Sequence, residues 1–487
     1  MRHEIGLRSR TFLVAVGVAW IVSGMAKASM GAELLVGAAT INITPEVPVA
    51  LSGQMVTRIA REVRSPLTAT ALALESRQDD KVLDQAIMVS CDLLSIPEGL
   101  LNQLRQGLKD RLSDFEVKKL FLNATHTHTG PVLQEGLYDL PGKDLIQPAD
   151  YLRFLTERLG DLVVRAWETR KPGAVSWGLG HAAVAQNRRA IYAGGHAQMY
   201  GRTDVPEFRG IEGYEDHDVD ALFFWDRSQK LIAIAVNLAC PAQEVEGDST
   251  VDADFWHEVR VKLRQLYSQD LLVMGWIGAA GDQSPHLMYR QQAEERMRQL
   301  RGLTRLQEIA RRISRAVEEA YDVARKDIRS DVPLLHKVEQ IQLPVRKVTE
   351  EEMAHAQGRV EALSKDSLNW RRRVWHQKVV DRYQRQKTNP HFDVELHIIR
   401  LGDVALATNP FELFTDFGIQ IKARSKAIQT FVIQLTGVGG YIPTEKAVRG
   451  GDYSAIVESN QVGPEGGQVL VDRTVERINS LWADKPY

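Results

Sequence analysis

Three pairs of apolar runs, each doubled back across a short polar turn, constrain this chain more than any other feature of its 487 residues. Residues 68 to 74 lead through ESRQDDK into QAIMVSCD, DALFFW leads through DRSQ into KLIAIAVNLAC, and VELHIIRL leads through GD into VALATNP. An apolar run on each side of a tight turn buries itself by pairing with its neighbour, so antiparallel sheet is a major component. The returning strands end at Asp92, at Cys240 with Pro241, and at Asn409 with Pro410 and Glu412, which delivers polar chemistry to sheet ends.

Helices are expected between the hairpins. Leu306, Ile309, Ala310, Ile313, Ala316, Val317 and Ala320 recur at helical spacing, and Thr304 with Gln307 forms the pattern of a capping box. Further helices are expected over residues 255 to 267 and 467 to 482, and the charged, tryptophan-studded segment 350 to 386 is expected to be a helical excursion or lid. Its arginines 371 to 373 are expected to form a solvated face. Strict βαβ alternation is absent, so the expected fold is α+β, a layered domain of antiparallel and mixed sheets flanked by helices, not a parallel barrel. No repeat period or low-complexity tract is visible.

Arg2, Arg8 and Arg10 precede an apolar stretch from Phe12 to Gly24 and then small residues around Ala28 and Ala32, the order of a secretory signal peptide. The stretch is too short to span a bilayer comfortably. Residues 1 to 32 are therefore expected to be a cleaved signal, the product secreted or periplasmic, and residues 33 to 487 a single catalytic domain. With 44% hydrophobic and 25% charged residues the chain can bury a large core, and a formal net charge of -2 leaves no basic surplus for nucleic acid. The expected partner is a small molecule. Two cysteines, Cys91 and Cys240, exclude a disulfide scaffold, while one bridge or a metal-binding thiol stays open.

Five spots carry chemistry. In THTHTGP, at 125 to 131, strand alternation puts His126 and His128 on one side, as metal ligands, as a ligand and a base, or as hydrogen-bonded strand-end residues. GAAGDQSPH places Ser284 on a tight turn beside Asp282 and His286, as a nucleophile, a substrate clamp or a plain turn. In NPFELF, Glu412 has apolar neighbours and so needs a cation, a proton or a helix N-terminus. Residues 437 to 455 carry Tyr441 and Tyr453 among glycines, as oxyanion donors or buried hydrogen-bonded phenols. QNRRAIY offers Arg188 and Arg189, either of which can hold a carboxylate or a substrate oxygen.

In order and content these motifs, from GAATINITP at 37 to 45 through Tyr453, resemble the neutral ceramidase family. The resemblance implies a zinc-dependent hydrolase that cleaves an amide bond in a lipid or small-molecule amide. It implies His126, Glu412 and Tyr453 as zinc ligands, His128, Arg188 and Tyr441 as polar active-site groups, and Ser284 as the serine described as nucleophile. Two departures stand out. Where the family has a histidine before proline, the chain reads NLACPAQEVEG. Cys240 is the expected replacement ligand, with Gln243, Glu244 and Glu246 as alternatives. The family's C-terminal β-sandwich domain is expected to be absent after Tyr453, which puts the lipid substrate in doubt; peripheral membrane contact and oligomeric state are open. The alternatives are a metallohydrolase of the amidohydrolase superfamily, disfavoured by the hairpins, and a non-catalytic secreted binding protein that has lost the metal.

Overall fold

The computed structural model describes residues 32–483 except 141, 143, 364, 366 and 367, so the expected signal peptide lies outside the described residues save for Ala32. Twelve strands in two sheets carry the architecture. The first eight are β1 Glu33–Asn42, β2 Thr68–Gln78, β3 Lys81–Cys91, β4 Leu120–Ala124, β5 Lys171–His181, β6 Asp218–Asp226, β7 Leu231–Leu238 and β8 Leu272–Ile277. They form one sheet in the order β8-β7-β6-β5-β1-β2-β3-β4. The second sheet runs β9-β10-β11-β12, with β9 Leu334–Pro344, β10 His391–Leu401, β11 Val404–Thr408 and β12 Gln429–Ile433. The three expected hairpins are β2-β3, β6-β7 and β10-β11, all antiparallel.

The order of pairing exposes what the sequence hides. β1-β2-β3 is an antiparallel meander, after which helix α1 (Leu100–Leu108) carries the chain to β4, parallel to β3. β5-β6-β7 repeats the meander, and α3 (Phe255–Leu266) leads to β8, parallel to β7. β9-β10-β11 repeats it again, and α7 (Thr415–Arg424) leads to β12, parallel to β11. Each unit is closed by a longer helix packed on its crossover helix: α2 (Pro148–Glu168), α4 (Arg305–Ala324) and α8 (Pro464–Ser480). Three units of the same βββαβα topology thus follow one another without a shared sequence period, because the topology needs only apolar alternation at each strand.

The layers follow from side-chain direction. In β2, Ala69, Ala71 and Ala73 face α1 and α2, while Leu72 and Leu74 face the second sheet. Strands buried on both faces read as continuous apolar runs, as these do. One core lies under α1 and α2, a second under α3 and α4, a third between the small sheet and α7 and α8, and a fourth between the two sheets. The result is helix, sheet, sheet, helix. The α4 cap is the expected capping box, with Thr304 and Gln307 each bonding the other's backbone. Gly37 of β1 and Gly180 of β5 occupy like positions, where α2 and α4 approach so closely that a Cβ would run into a helix carbonyl, of Ala166 and Ala316 respectively.

Segment 350 to 386 is a helical hairpin, α5 (Glu350–Ala362) and α6 (Trp370–Arg385), seated on the loop before α8. Arg382 of α6 donates to the carbonyls of Asn460 and Val457 there. Among the described residues no helix is long and apolar enough to cross a membrane.

The first and second units are riveted by Arg260 of α3, whose two terminal nitrogens meet the Asp92 carboxylate at 2.7 and 2.8 Å, fully inside the protein. Removing one partner strands a buried charge. Arg260→Ala is therefore expected to lower unfolding stability by about 3–5 kcal/mol, read as the shift in a urea unfolding midpoint.

Candidate active site

The site lies where the parallel strands of the three units stop. Beyond β4, Ala124 N–H donates to Leu435 O after β12; Gln434 N–H donates to Ile277 O at the end of β8; and Ala242 N–H, after β7, donates to Thr125 O. Each unit is thereby bonded to the other two, and the chain leaving each strand end is held in place.

β4 ends at Ala124, so THTHTGP is not strand as the alternation argument assumed. Its threonines set its geometry instead. Thr125 donates to Asp92 Oδ1 at 3.2 Å, and Thr127 and Thr129 both donate to the Asp252 carbonyl at 2.7 and 2.8 Å. His126 takes a left-handed backbone, φ 67°, and both imidazoles still emerge on one side, their Nε2 atoms 3.2 Å apart.

The hydrogen bonds assign the tautomers. His126 Nδ1 lies 2.8 Å from the Leu94 carbonyl and must donate to it, which leaves Nε2 as a lone pair 3.4 Å from Glu412 Oε2. His128 Nε2 accepts from the Gln243 amide at 2.7 Å, and that amide is oriented by Arg188, which donates to its Oε1 at 3.2 Å. His128 Nδ1 sits 3.2 Å from Glu246 Oε2. Burial dominates His128 and lowers its pKa to about 4 despite Glu246. Burial would raise Glu246, but contacts with His128 and His286 outweigh it and hold the carboxylate well below its ordinary range.

Arg188 reaches this point because Gln186–Asn187 pairs with Gln283–Ser284 as a small antiparallel ribbon. Its guanidinium donates to Tyr200 Oη, Gln243 Oε1, the Gly281 carbonyl and Tyr441 Oη, at 2.9 to 3.2 Å. Arg189 points away, into a buried pair with Glu212. Ser284 is fully buried in that ribbon, where its Oγ accepts from Tyr200 Oη and from His286 N–H, both at 3.1 Å. The His286 ring is turned to the Gln243 carbonyl, 2.8 Å from its Nε2.

The two tyrosines differ. Tyr441 pairs in register with Glu412 and bonds its carboxylate, and burial raises its pKa well above the usual value, so it is a neutral donor. Tyr453 lies one ring further out, edge-on to Tyr441 at 5.8 Å and tilted against Trp375 at 5.6 Å, and burial and then Glu412 push it up to about 12. The tyrosine touching Glu412 is thus Tyr441, whereas the resemblance placed Tyr453 in the ligand set.

Cys240 is placed elsewhere. It lies in the core under α3 and α4 with Val236, Leu238 and Phe255, and its sulfur finds only the Pro241 carbonyl, at 3.8 Å. Burial raises its thiol well above the ordinary value, the reverse of what a ligand thiolate needs. Cys91 is also free, and packs in the other core under α1 and α2. After β7 the residues that reach the histidines are Gln243 and Glu246, two of the alternatives to Cys240; Glu244 pairs with Arg305. Tyr200, which ties Arg188 to Ser284, sits in a loop with no motif and no sequence signal.

Do these residues fit a zinc ion? Among the described residues no three His, Cys, Asp or Glu side chains are arranged to hold a metal. His126 and Glu412 fit one nonetheless: a lone pair fixed by a carbonyl behind it and a buried carboxylate face each other, with the Tyr441 phenol alongside. That is a leaner set than the three protein ligands usual in catalytic zinc sites.

The fold is similar to that of neutral ceramidase from Pseudomonas aeruginosa, with a TM-score of 0.66 at 16% identity over 93% of this chain and 75% of that one. It is equally similar to a ceramidase complexed with C2, with a TM-score of 0.65 at 14% identity over 93% and 76%. At such identities the likeness is one of fold. No protein-family model and no curated protein matches the sequence.

A buried imidazole with a depressed pKa has a stability signature. The folded state refuses a proton that the unfolded chain accepts, so this contribution is complete above pH 6.5 and is lost as the pH falls towards 4. His128→Gln is expected to flatten the fall in urea midpoint between pH 7 and pH 4.5 relative to the wild type.

Proposed function

We propose that this protein is a hydrolase of the neutral ceramidase type, cleaving an amide bond in a lipid or small-molecule amide with the help of zinc, and that it is exported to do so. The observation that carries this reading is the facing pair of His126 Nε2 and Glu412 Oε2, 3.4 Å apart, with Arg188 and Tyr441 alongside. One imidazole lone pair, one carboxylate and two oxyanion donors are what amide hydrolysis asks of a protein.

His126 and Glu412 would hold the ion, with the neutral Tyr441 phenol beside the Glu412 carboxylate. The chemistry zinc supplies in such a site is polarisation of a carbonyl and a lowered pKa for a water. Arg188, already gathered with Tyr441, presents positive charge to the oxygen that becomes negative as the carbonyl is attacked. His128 is neutral at pH 7, and its Nε2 would take the proton of an attacking water by giving up the hydrogen bond it accepts from Gln243, with Glu246 behind its Nδ1 to stabilise the imidazolium that forms. The same proton then passes to the departing amine. Ser284 finds no imidazole among its hydrogen-bond partners, so its role here is to position Tyr200 rather than to attack.

His126→Ala and Glu412→Gln are expected to lose both stoichiometric zinc and at least about a thousandfold in kcat/KM on an N-acyl amide. A metal-free wild type that zinc does not activate would return the protein to the class of binding proteins. Tyr441→Phe is expected to cost about 10- to 100-fold in kcat, as the loss of one oxyanion donor. Ser284→Ala is expected to keep measurable turnover, and an acyl adduct on Ser284 trapped by mass spectrometry would reverse the assignment of the nucleophile.

A further inference from the structure

The arginines 371 to 373 do not form the solvated face expected of them. All three are half-buried at the start of α6, in a first turn that contains no acidic residue. Two have local partners: Arg372 donates to the Leu368 carbonyl, and Arg373 to the carbonyls of Val360 and Leu363. Arg371 differs: the side chain is partly exposed, and its buried Nη1 meets no hydrogen-bond partner among the described residues. A buried polar nitrogen left without a partner carries a desolvation cost that a hydrogen-bond acceptor placed there would relieve.

The direction of Arg371 follows from the helix. One turn on, at i+4 on the same face, stands Trp375. Trp375 packs at a tilt against Tyr453, and Tyr453 meets Tyr441, the phenol that bonds Glu412. Arg371 acts on the same Tyr453 ring, where its charge opposes the rise in the phenol's pKa that burial causes. An aromatic wall therefore leads from Glu412 outward to α6, with a cation at its outer end. The hairpin bearing it is fastened down: Trp370 Nε1 donates to the Gly136 carbonyl at 3.0 Å, and His376 Nδ1 lies 3.3 Å from Glu458.

We infer that Arg371 is a specificity-determining residue, binding an anionic group, a carboxylate or a phosphate, carried by the substrate beyond its scissile amide. The inference rests on the hydrolase reading for the word substrate and on the unpaired Arg371 Nη1 beside the aromatic wall for the anion. It assigns the preferred substrates to acyl amides with a negatively charged headgroup, such as N-acyl amino acids, over neutral ones.

The test compares N-decanoylglycine with N-decanoylethanolamine, which share the acyl amide and differ in the charge of the headgroup. The wild type is expected to prefer the glycine conjugate, and Arg371→Gln to cut the ratio of kcat/KM values about ten- to a hundredfold, mainly through KM, the worth of a hydrogen bond to a charged group. Arg371→Lys is expected to restore part of the ratio, and Arg372→Gln to leave it as it is. Binding of the same two compounds, followed by calorimetry on the intact protein, separates this inference from the reading beneath it. Preferential binding of the glycine conjugate that Arg371→Gln abolishes, without hydrolysis of either compound, upholds the anion site and rejects the amidase. Hydrolysis with a ratio indifferent to Arg371→Gln rejects the anion site and leaves the amidase standing.

Discussion

Three parallel strand pairs end at one place, and their exposed backbone groups have nowhere to go except to each other. A buried N–H or C=O without a partner is expensive, so the bonds Ala124 to Leu435, Gln434 to Ile277 and Ala242 to Thr125 are what allow three units to meet in a dry interior. Everything chemical depends on that closure. The chain leaving β4 brings His126 and His128, the chain leaving β7 brings Gln243 and Glu246, and the chain leaving β11 brings Glu412. Beyond β8 and β12 come Ser284 and Tyr441. One residue from any single unit is an ordinary strand-end side chain; the site exists only where all three units contribute.

Around this centre the protein spends its polar groups on orientation. Alternate residues of THTHT divide the labour: the threonines bind Asp92 and the Asp252 backbone, and this leaves the imidazoles free to face Glu412 and Glu246. Arg188 gathers four acceptors from four separate segments and so fixes the direction of the Gln243 amide, which in turn fixes His128. Each reactive group has a supporting group behind it, which holds the left-handed backbone at His126 in place. Further out, the α5-α6 hairpin closes one side with Trp375 and brings a cation to that side, so the wall beside the site is both aromatic and charged.

The sequence by itself determined the strands, the layered α+β class and most of the motifs. Apolar runs on both sides of short turns demand hairpins, and Thr304 with Gln307 demands a helix start. Both are local, because the forces that decide them act over a few residues. It also determined the residue types at the site, for His126, His128, Arg188, Ser284, Glu412 and Tyr441 all lie within short motifs.

Tertiary structure alone decided the rest. The threefold βββαβα arrangement leaves no sequence period, because each strand position accepts any apolar side chain of the right size. Tyr453 and Tyr441 could not be told apart by spacing, since their roles depend on the register of Glu412 against Tyr441. Cys240 sat in the right place along the chain, but its thiol turned into the core while Gln243, three residues later, turned to His128. Tyr200 carried no signal at all, and Arg371 only that of a solvated face. Which way a side chain faces, and what it finds there, is set by contacts between residues tens to hundreds of positions apart, and those exist only once the chain has folded.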